Sequence, residues 1–470
     1  MTSAIVVGSG PNGLAAALTL AAAGVQVTVL ERESTPGGGT RSVEATLPGL
    51  LHDECSWAHP LAIDTPFSRA FDLGSTGLRF VAAPYEHAHP LDGGRGAAAR
   101  RSSEETARAL GADARRWRRI FGRLDERFAR ISEDFLRPML HVPAHPVLLA
   151  QFGALATLPA TGLARLFGTD EARAMWSGLA AHSFRPLGSP FSSAIGLALG
   201  TAAHTYGWPV AVGGSRSISA AMIAQLEKHG GRIETGVEVR SATELPPSDL
   251  LLLDTSPRTA AAILGDRLPA HVRRAYRRFR HGTAAFQVSL AVEGGIPWAY
   301  APAREAASVH LGGTFREVAE AERQTWQGRM PERPFVLLGQ QYVADPSRSR
   351  GATHPVDAYA HVPHGFGGDA TEAILAQIER FAPGARDRIV HVSVRTTTDI
   401  SVRNPNYVGG DITTGANTAR QLVFRPRVAL DPYATGIPGT YLCSAATPPG
   451  AGAHGVCGWN AARSALASLR

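Results

Sequence analysis

The first thirty-one residues constrain this chain more than any other stretch. Ala4 to Val7 is a short, apolar, β-branched run of the kind that fills a buried parallel strand. It leads into GSGPNG, where Gly8, Gly10 and Gly13 hold the G-x-G-x-x-G spacing. Leu14 to Ala23 then reads as an alanine-rich helix stopped by Gly24, and Val25 to Leu30 as a second strand ending at Glu31. Gly8 permits the tight turn from strand to helix, Gly10 lets the backbone approach a pyrophosphate, and Gly13 lets helix and strand pack closely. The helix amino end, entered through Pro11 and Asn12, offers free N–H groups to phosphate oxygens. Glu31 can accept hydrogen bonds from both ribose hydroxyls. Together these parts predict a dinucleotide-binding βαβ unit. An isolated glycine triplet would not.

The next block, ERESTPGGGTRS (31–42), narrows the cofactor. A glycine-rich turn followed by an arginine, just past the ribose acid, resembles the second phosphate-contacting loop of FAD proteins. Nicotinamide-binding units do not usually carry it. Arg32, Gly37, Gly38, Gly39, Thr40 and Arg41 are therefore expected near the pyrophosphate or ribityl chain; the alternative is a solvent-facing turn. A second match, GFGGDA (365–370), is rejected as a nicotinamide site. Asp369 would place a carboxylate where pyrophosphate belongs, and the following strand, 389–394, does not end in an acid. Asp369 or Thr371 is better read as a helix N-cap. With no second dinucleotide unit, oxygen or a quinone is the expected electron acceptor rather than NAD(P)H.

At 470 residues the chain calls for two or three packed units. Its formal charge of +7 comes almost wholly from arginine, Lys228 being the sole lysine. That excess fits an anionic cofactor or an acidic membrane surface. The basic residues are dispersed, with no aromatic–basic module, so no nucleic-acid partner is expected. Cys55, Cys443 and Cys457 form no CxxC pair, which supports neither a thiol relay nor a cysteine zinc site; no metal is expected, and a reducing cytoplasm is the simplest compartment. There is no leader-like start and no apolar run of ~18 residues, so membrane contact would be peripheral.

Later segments read as further parts of the nucleotide unit. Gly213 and Gly214 lead into a helix from about Ser217 to His229, ended by Gly230 and Gly231; strands are expected around Ile233 and at Val237 to Val239. DLLLLD (249–254) is a buried apolar strand closed by Thr255 and Pro257. Thr440 to Ser444 is another, followed by a glycine loop and a terminal helix.

Taken with LHDECSWAHPLA (51–62), HTYGWPVAVGGS (204–215), NPNYVGGDITTGA (404–416) and YLCSAATPPGAGAHGVCGWNAA (441–462), these motifs resemble the phytoene dehydrogenase-related branch of the FAD-dependent carotenoid desaturase and amine oxidase superfamily. The resemblance covers nearly the whole chain. It implies an α/β fold: a Rossmann-like FAD-binding domain stitched from 1–60, 208–278 and 412–470. An α+β substrate domain, 61–207 and 279–411, is inserted in it. It also implies that the backbone of Val239 meets the adenine. Ala446, Gly450, Gly452, His454, Gly455 and Val456 would lie along the ribityl chain and flavin. Many relatives carry an acid beside the ribityl chain, but here the run is Ser444-Ala445-Ala446-Thr447, so backbone or hydroxyl groups must serve.

On the substrate side, Trp117, Ile120, Phe121, Leu124, Phe128, Ile131 and Phe135 recur at helical spacing between arginines. This is either a packed helix or a face resting on anionic lipid. Leu148 to Leu166 either lines an entrance or packs in the core. His52, His59, His204, Tyr206, Trp208, Asn406 and His454 are candidates near the flavin, with His59, Tyr206, Trp208 and Asn406 as substrate contacts. His204 and His454 are the candidate proton acceptors. The expected activity is desaturation or a related dehydrogenation of a lipophilic, isoprenoid- or polyketide-like molecule. The alternatives are amine-oxidase-type C–N oxidation, disfavoured by the lone lysine, and isomerisation or binding without net redox.

Overall fold

Two sheets organise the chain in a computed structural model that describes residues 2–469. The first is parallel, with strands in the order Thr440–Leu442, Leu250–Leu253, Ser3–Val7, Gln26–Glu31 and Arg232–Thr235. Strands Ser3–Val7 and Leu250–Leu253 are apolar on both faces because both faces are covered. Ala4 and Val6 pack with Ala16, Leu20 and Ala461, from helices Pro11–Ala22 and Val456–Ala467. Ile5 and Val7 face Ala260, Leu264 and Tyr276, from helices Pro257–Leu264 and Ala270–Arg277. The expected elements thus form within a few residues of their anticipated bounds. Val237 to Val239 is the exception: it is not a strand, although the Val237 N–H donates to the Glu31 carbonyl at 2.8 Å.

The second sheet has seven strands, ordered Ile389–Arg395, Ala284–Glu293, Thr353–Val362, Val336–Gly339, Ser308–Leu311, His87–Pro90 and Gly96–Ala99. All its pairings are antiparallel except Ser308–Leu311 with His87–Pro90. GFGGDA lies beyond its strand Thr353–Val362, which has only antiparallel neighbours and is separated from strand Ile389–Arg395 by strand Ala284–Glu293. Asp369 Oδ1 accepts the Thr371 N–H at 2.8 Å, from one residue ahead of the N-cap Ala370.

Helices between 103 and 205 cover one end of this sheet, with Asp170–Ala181 closest. A Cβ on Gly178 would lie 2.5 Å from His310 Nδ1, so only glycine allows that approach. The single helix expected through Trp117 and Phe135 is broken into Ala114–Ile120 and Phe128–Phe135. Gly122 lies in the break, and the Asp125 carbonyl, which closes a short 3-10 turn with the Phe128 N–H, also accepts the Thr205 hydroxyl at 3.1 Å. Its apolar side chains, Trp117 through Ile131, are buried in the lobe.

A buried ionic knot ties the two parts together. Arg348 is wholly buried; its Nη1 meets Asp53 Oδ2 at 2.6 Å and its Nε meets Asp345 Oδ2 at 3.3 Å. Beside it, His52 Nδ1 pairs with Asp357 Oδ1 at 2.9 Å. His52 therefore belongs to the scaffold.

Candidate active site

The carboxyl ends of the parallel strands open onto one cavity of about 680 Å³. Gly8 takes φ +98°, and its N–H donates to the Leu30 carbonyl at 2.8 Å, turning the chain off the first strand. A Cβ on Gly13 would lie 2.1 Å from the Gly8 carbonyl oxygen, so Gly13 serves close packing and does not line the cavity. Gly10 caps helix Pro11–Ala22 with no side-chain oxygen closing its amino end. The Ser9 N–H and hydroxyl hold Glu31 Oε2 at 2.9 and 2.6 Å, and the Glu33 N–H holds Oε1 at 2.9 Å. The acid is thereby fixed at the strand end, on the cavity wall.

The GGGTRS block is not a solvent turn. The Gly37 N–H donates to the Ser9 carbonyl at 3.1 Å, and a Cβ on Gly38 would lie 2.9 Å from Gly10 Cα, so the two glycine loops touch. Thr40 and Arg41 are buried, and Gly38 to Arg41 line the cavity. Arg41 already pairs with Glu54 at 3.0 Å, and Arg32 with Glu33 at 2.6 Å.

These surroundings suit a dinucleotide. A Cβ on Gly10 would lie 2.6 Å from Asp254 Oδ2, so glycine keeps the cradle open. Asn12 Oδ1 and Thr255 Oγ1 are buried without a hydrogen-bond partner, on residues that line the cavity. Val237 to Val239 continue the wall beyond Glu31. Asp254 is the residue sequence reasoning missed here, although an acid ending the apolar strand Leu250–Leu253 was a usable signal. Burial pushes its carboxyl up to about 7; the Gly13 N–H, 3.0 Å away, opposes this and the Glu31 charge adds to it.

Further along, the wall is the loop Pro449 to His454. His454 Nδ1 accepts the Val456 N–H at 3.1 Å, and burial pulls its pKa down to about 4, so the ring is neutral and orients the start of helix Val456–Ala467. Ala446, Gly455 and Val456 lie behind this lining, Gly455 against Ala15 and Phe67.

The structure does not bring His204 to the cavity. It lies in the helical lobe, where Nε2 accepts from Trp117 Nε1 at 3.1 Å and Nδ1 meets the Arg100 carbonyl at 3.1 Å. The helical spacing that put Trp117 in the core also put its partner there. His59, bonded to the Ser215 hydroxyl at 2.9 Å, and Tyr206, bonded to Asp64 at 2.8 Å, are likewise off the wall. Trp208 does line the cavity. So does Asn406, but its amide is committed to the cofactor side: Nδ2 donates to the Asp254 carbonyl and Oδ1 accepts from the Ser256 N–H.

Beyond the loop the cavity becomes an apolar chamber lined by Leu149, Phe152, Ile195, Leu199 and Leu337. Trp57 and Tyr359 pack at 5.4 Å between centroids on its wall, His182 supplies a polar group there, and Arg425 stands where the chamber meets the loop, against Gly450. No motif marked these four for a role at the site.

Comparison with known proteins agrees with this architecture. The NAD(P)-binding Rossmann-like domain family matches residues 6–72. The chain is 25% identical to pyridine nucleotide-disulfide oxidoreductase domain-containing protein 2 of Rattus norvegicus, over 99% of this chain and 94% of that protein. It is 27% identical to hydroxyneurosporene desaturase of Cereibacter sphaeroides, over 56% of this chain and 58% of the desaturase. An oxidoreductase from Methanosarcina mazei shares the fold, with a TM-score of 0.64 at 13% identity over 99% of this chain and 100% of that one. The chain is thus similar in sequence to proteins that include a carotenoid-type desaturase, and it shares along its whole length the fold of a solved oxidoreductase.

Proposed function

We propose that this protein is an FAD-dependent dehydrogenase that desaturates a lipophilic molecule of isoprenoid or polyketide type. The observation that carries this reading is the continuity of one cavity, from Glu31 and Asp254 past Pro449–His454 to Phe152, Ile195 and Leu337. FAD bound in the cradle supplies a two-electron acceptor. The chain's own residues do the rest: Glu31 holds a ribose, the amino end of helix Pro11–Ala22 faces the phosphates, and the apolar wall excludes water. Helix Val456–Ala467 turns its amino end toward the same loop, a favourable place for negative charge.

Lys228 is exposed on helix Arg216–Lys228, and no lysine lines the cavity among the described residues. That counts against C–N oxidation of the kind that uses a lysine-held water. Oxygen or a quinone suits reoxidation, since GFGGDA sits in antiparallel surroundings. Exposed Val142 and Val147, near the cavity residues Met139 and Leu149, support substrate uptake from a lipid surface; no described helix is long and apolar enough to cross a membrane.

The purified protein should be yellow and release FAD on acid precipitation; a colourless, stable preparation would remove the cofactor. Anaerobic mixing with saturated or partly saturated isoprenoids should bleach the flavin. Bleaching by amines instead, or turnover only after prior reduction with no net electron change, would replace desaturation by one of its rivals.

Asp254 gives this reading a pH signature. Its carboxyl, at about 7, would be raised further by a neighbouring diphosphate, so FAD binding takes up a proton. Affinity should therefore fall as pH rises above about 7, approaching tenfold per pH unit. Asp254→Asn should flatten that slope in flavin-release titrations. An unchanged slope would place the proton elsewhere.

A further inference from the structure

Two buried arginines stand beside the cavity without an acid. Arg425 lines it and is 2% exposed, yet its guanidinium donates only to uncharged oxygens. Nε bonds the Gln421 carbonyl at 3.0 Å, Nη2 bonds Asn417 Oδ1 at 2.9 Å, and Nη1 bonds the Ala445 carbonyl at 3.3 Å. Arg185, 7% exposed, shares the bridge: its Nη1 donates to the Asn417 carbonyl at 2.6 Å, and its Nε is buried without a partner. Neither forms an ion pair within 4.0 Å among the described residues, whereas Arg348, equally buried, has two. Asp411, whose charge reaches Arg425, already accepts from the Gly282 and Gly415 N–H groups and lies 3.4 Å from His281.

Burial lowers both guanidinium pKa values, but arginine keeps its charge in proteins. A desolvated cation without a counter-ion is costly and persists where an anion arrives during function. Its place identifies that anion. A Cβ on Gly450 would lie 2.7 Å from Arg425 Nη1, so the guanidinium packs against the loop assigned above to the flavin.

We propose that Arg425, backed by Arg185, is an anion site at the cofactor end of the cavity. It holds the negative charge that appears on the flavin when two electrons and one proton are added. The inference rests on FAD being the cofactor. Carbonyl and amide acceptors fix the guanidinium in place without neutralising it, so its full charge acts in a dry site.

Sulfite titration of the purified holoprotein tests this without a known substrate. The sulfite lone pair forms a bond to flavin N5, and the displaced pair leaves a negative charge on the ring. Wild type should bind sulfite, with loss of the visible flavin band. Arg425→Met should weaken binding by about tenfold or more and lower the flavin reduction potential, while Arg425→Lys should keep most of the affinity. Arg185→Met should weaken it by about threefold, being further removed. Should Arg425→Met lose flavin, Arg425→Gln, which retains an amide donor, carries the same comparison. Equal sulfite affinity and potential in charged and uncharged variants would overturn the proposal. Dodecanoate and dodecanol test the other source of an anion, a substrate carboxylate. Arg425-dependent preference for dodecanoate, with sulfite binding unmoved, would overturn the cofactor assignment. Protein that purifies without FAD fails the parent reading before Arg425 is reached.

Discussion

Gly10→Val is expected to give a folded protein that purifies without flavin. Gly10 has φ −63° and ψ 170°, a backbone any residue adopts, so the effect is not strain. It is space. The first carbon added would lie 2.6 Å from Asp254 Oδ2, and Asp254 is itself held by the Gly13 N–H. Asp254 has little room to retreat, so the new side chain is driven toward the volume meant for pyrophosphate. Affinity for FAD should fall by at least about a hundredfold, roughly 2.7 kcal/mol. The measurement is the flavin-to-protein absorbance ratio after gel filtration, with circular dichroism reporting the fold. Gly162→Ala is the control, since nothing lies within 4 Å of the added carbon. Full flavin content in Gly10→Val would mean that the phosphates bind elsewhere.

Arg348→Met should be the most damaging single change to stability. Methionine fills much of the volume but leaves Asp53 and Asp345 buried without their cation, close to a third acid, Asp357. Breaking one side of a buried ion network costs about 3–5 kcal/mol. The loss should appear as a lower urea midpoint and vary with pH. Burial alone would raise the Asp357 carboxyl, but the His52 charge and hydrogen bonds hold it below its ordinary value; Asp345 is likewise held down. Such depressed carboxyls contribute stability above their unfolded pKa and lose it as pH falls through their folded pKa. The gap between wild type and variant should therefore close below about pH 4. A variant within about 1 kcal/mol of wild type at neutral pH would show that the knot does not hold the two parts together.

Legibility followed the range of the interactions. Ser3–Glu31 was readable because every step is local: strand, turn, helix and acid lie next to one another in the chain. The cavity role of Gly38–Arg41 was also readable, since that block touches the same turn. His204 misled because a motif gives proximity in sequence, whereas its partner Trp117 lies 87 residues away. The break near Gly122 could not be seen in the apolar spacing, which runs on unbroken from Trp117 to Phe135. Arg425 was invisible for a different reason. Its meaning lies in lacking an acid, and sequence does not say which residues will be absent from a neighbourhood.

The order of the parallel sheet bears on how the protein is made. Strand Thr440–Leu442 and helix Val456–Ala467 leave the ribosome long after strand Ser3–Val7 and helix Pro11–Ala22, yet they complete the same layer. A Cβ on Gly458 would lie 1.8 Å from the Asn12 carbonyl oxygen, so the last helix seats directly on the first. Until then helix Pro11–Ala22 must wait with one flank bare. That interval exposes apolar surface to chaperones and to aggregation, and it makes cofactor loading a late event in the life of each molecule.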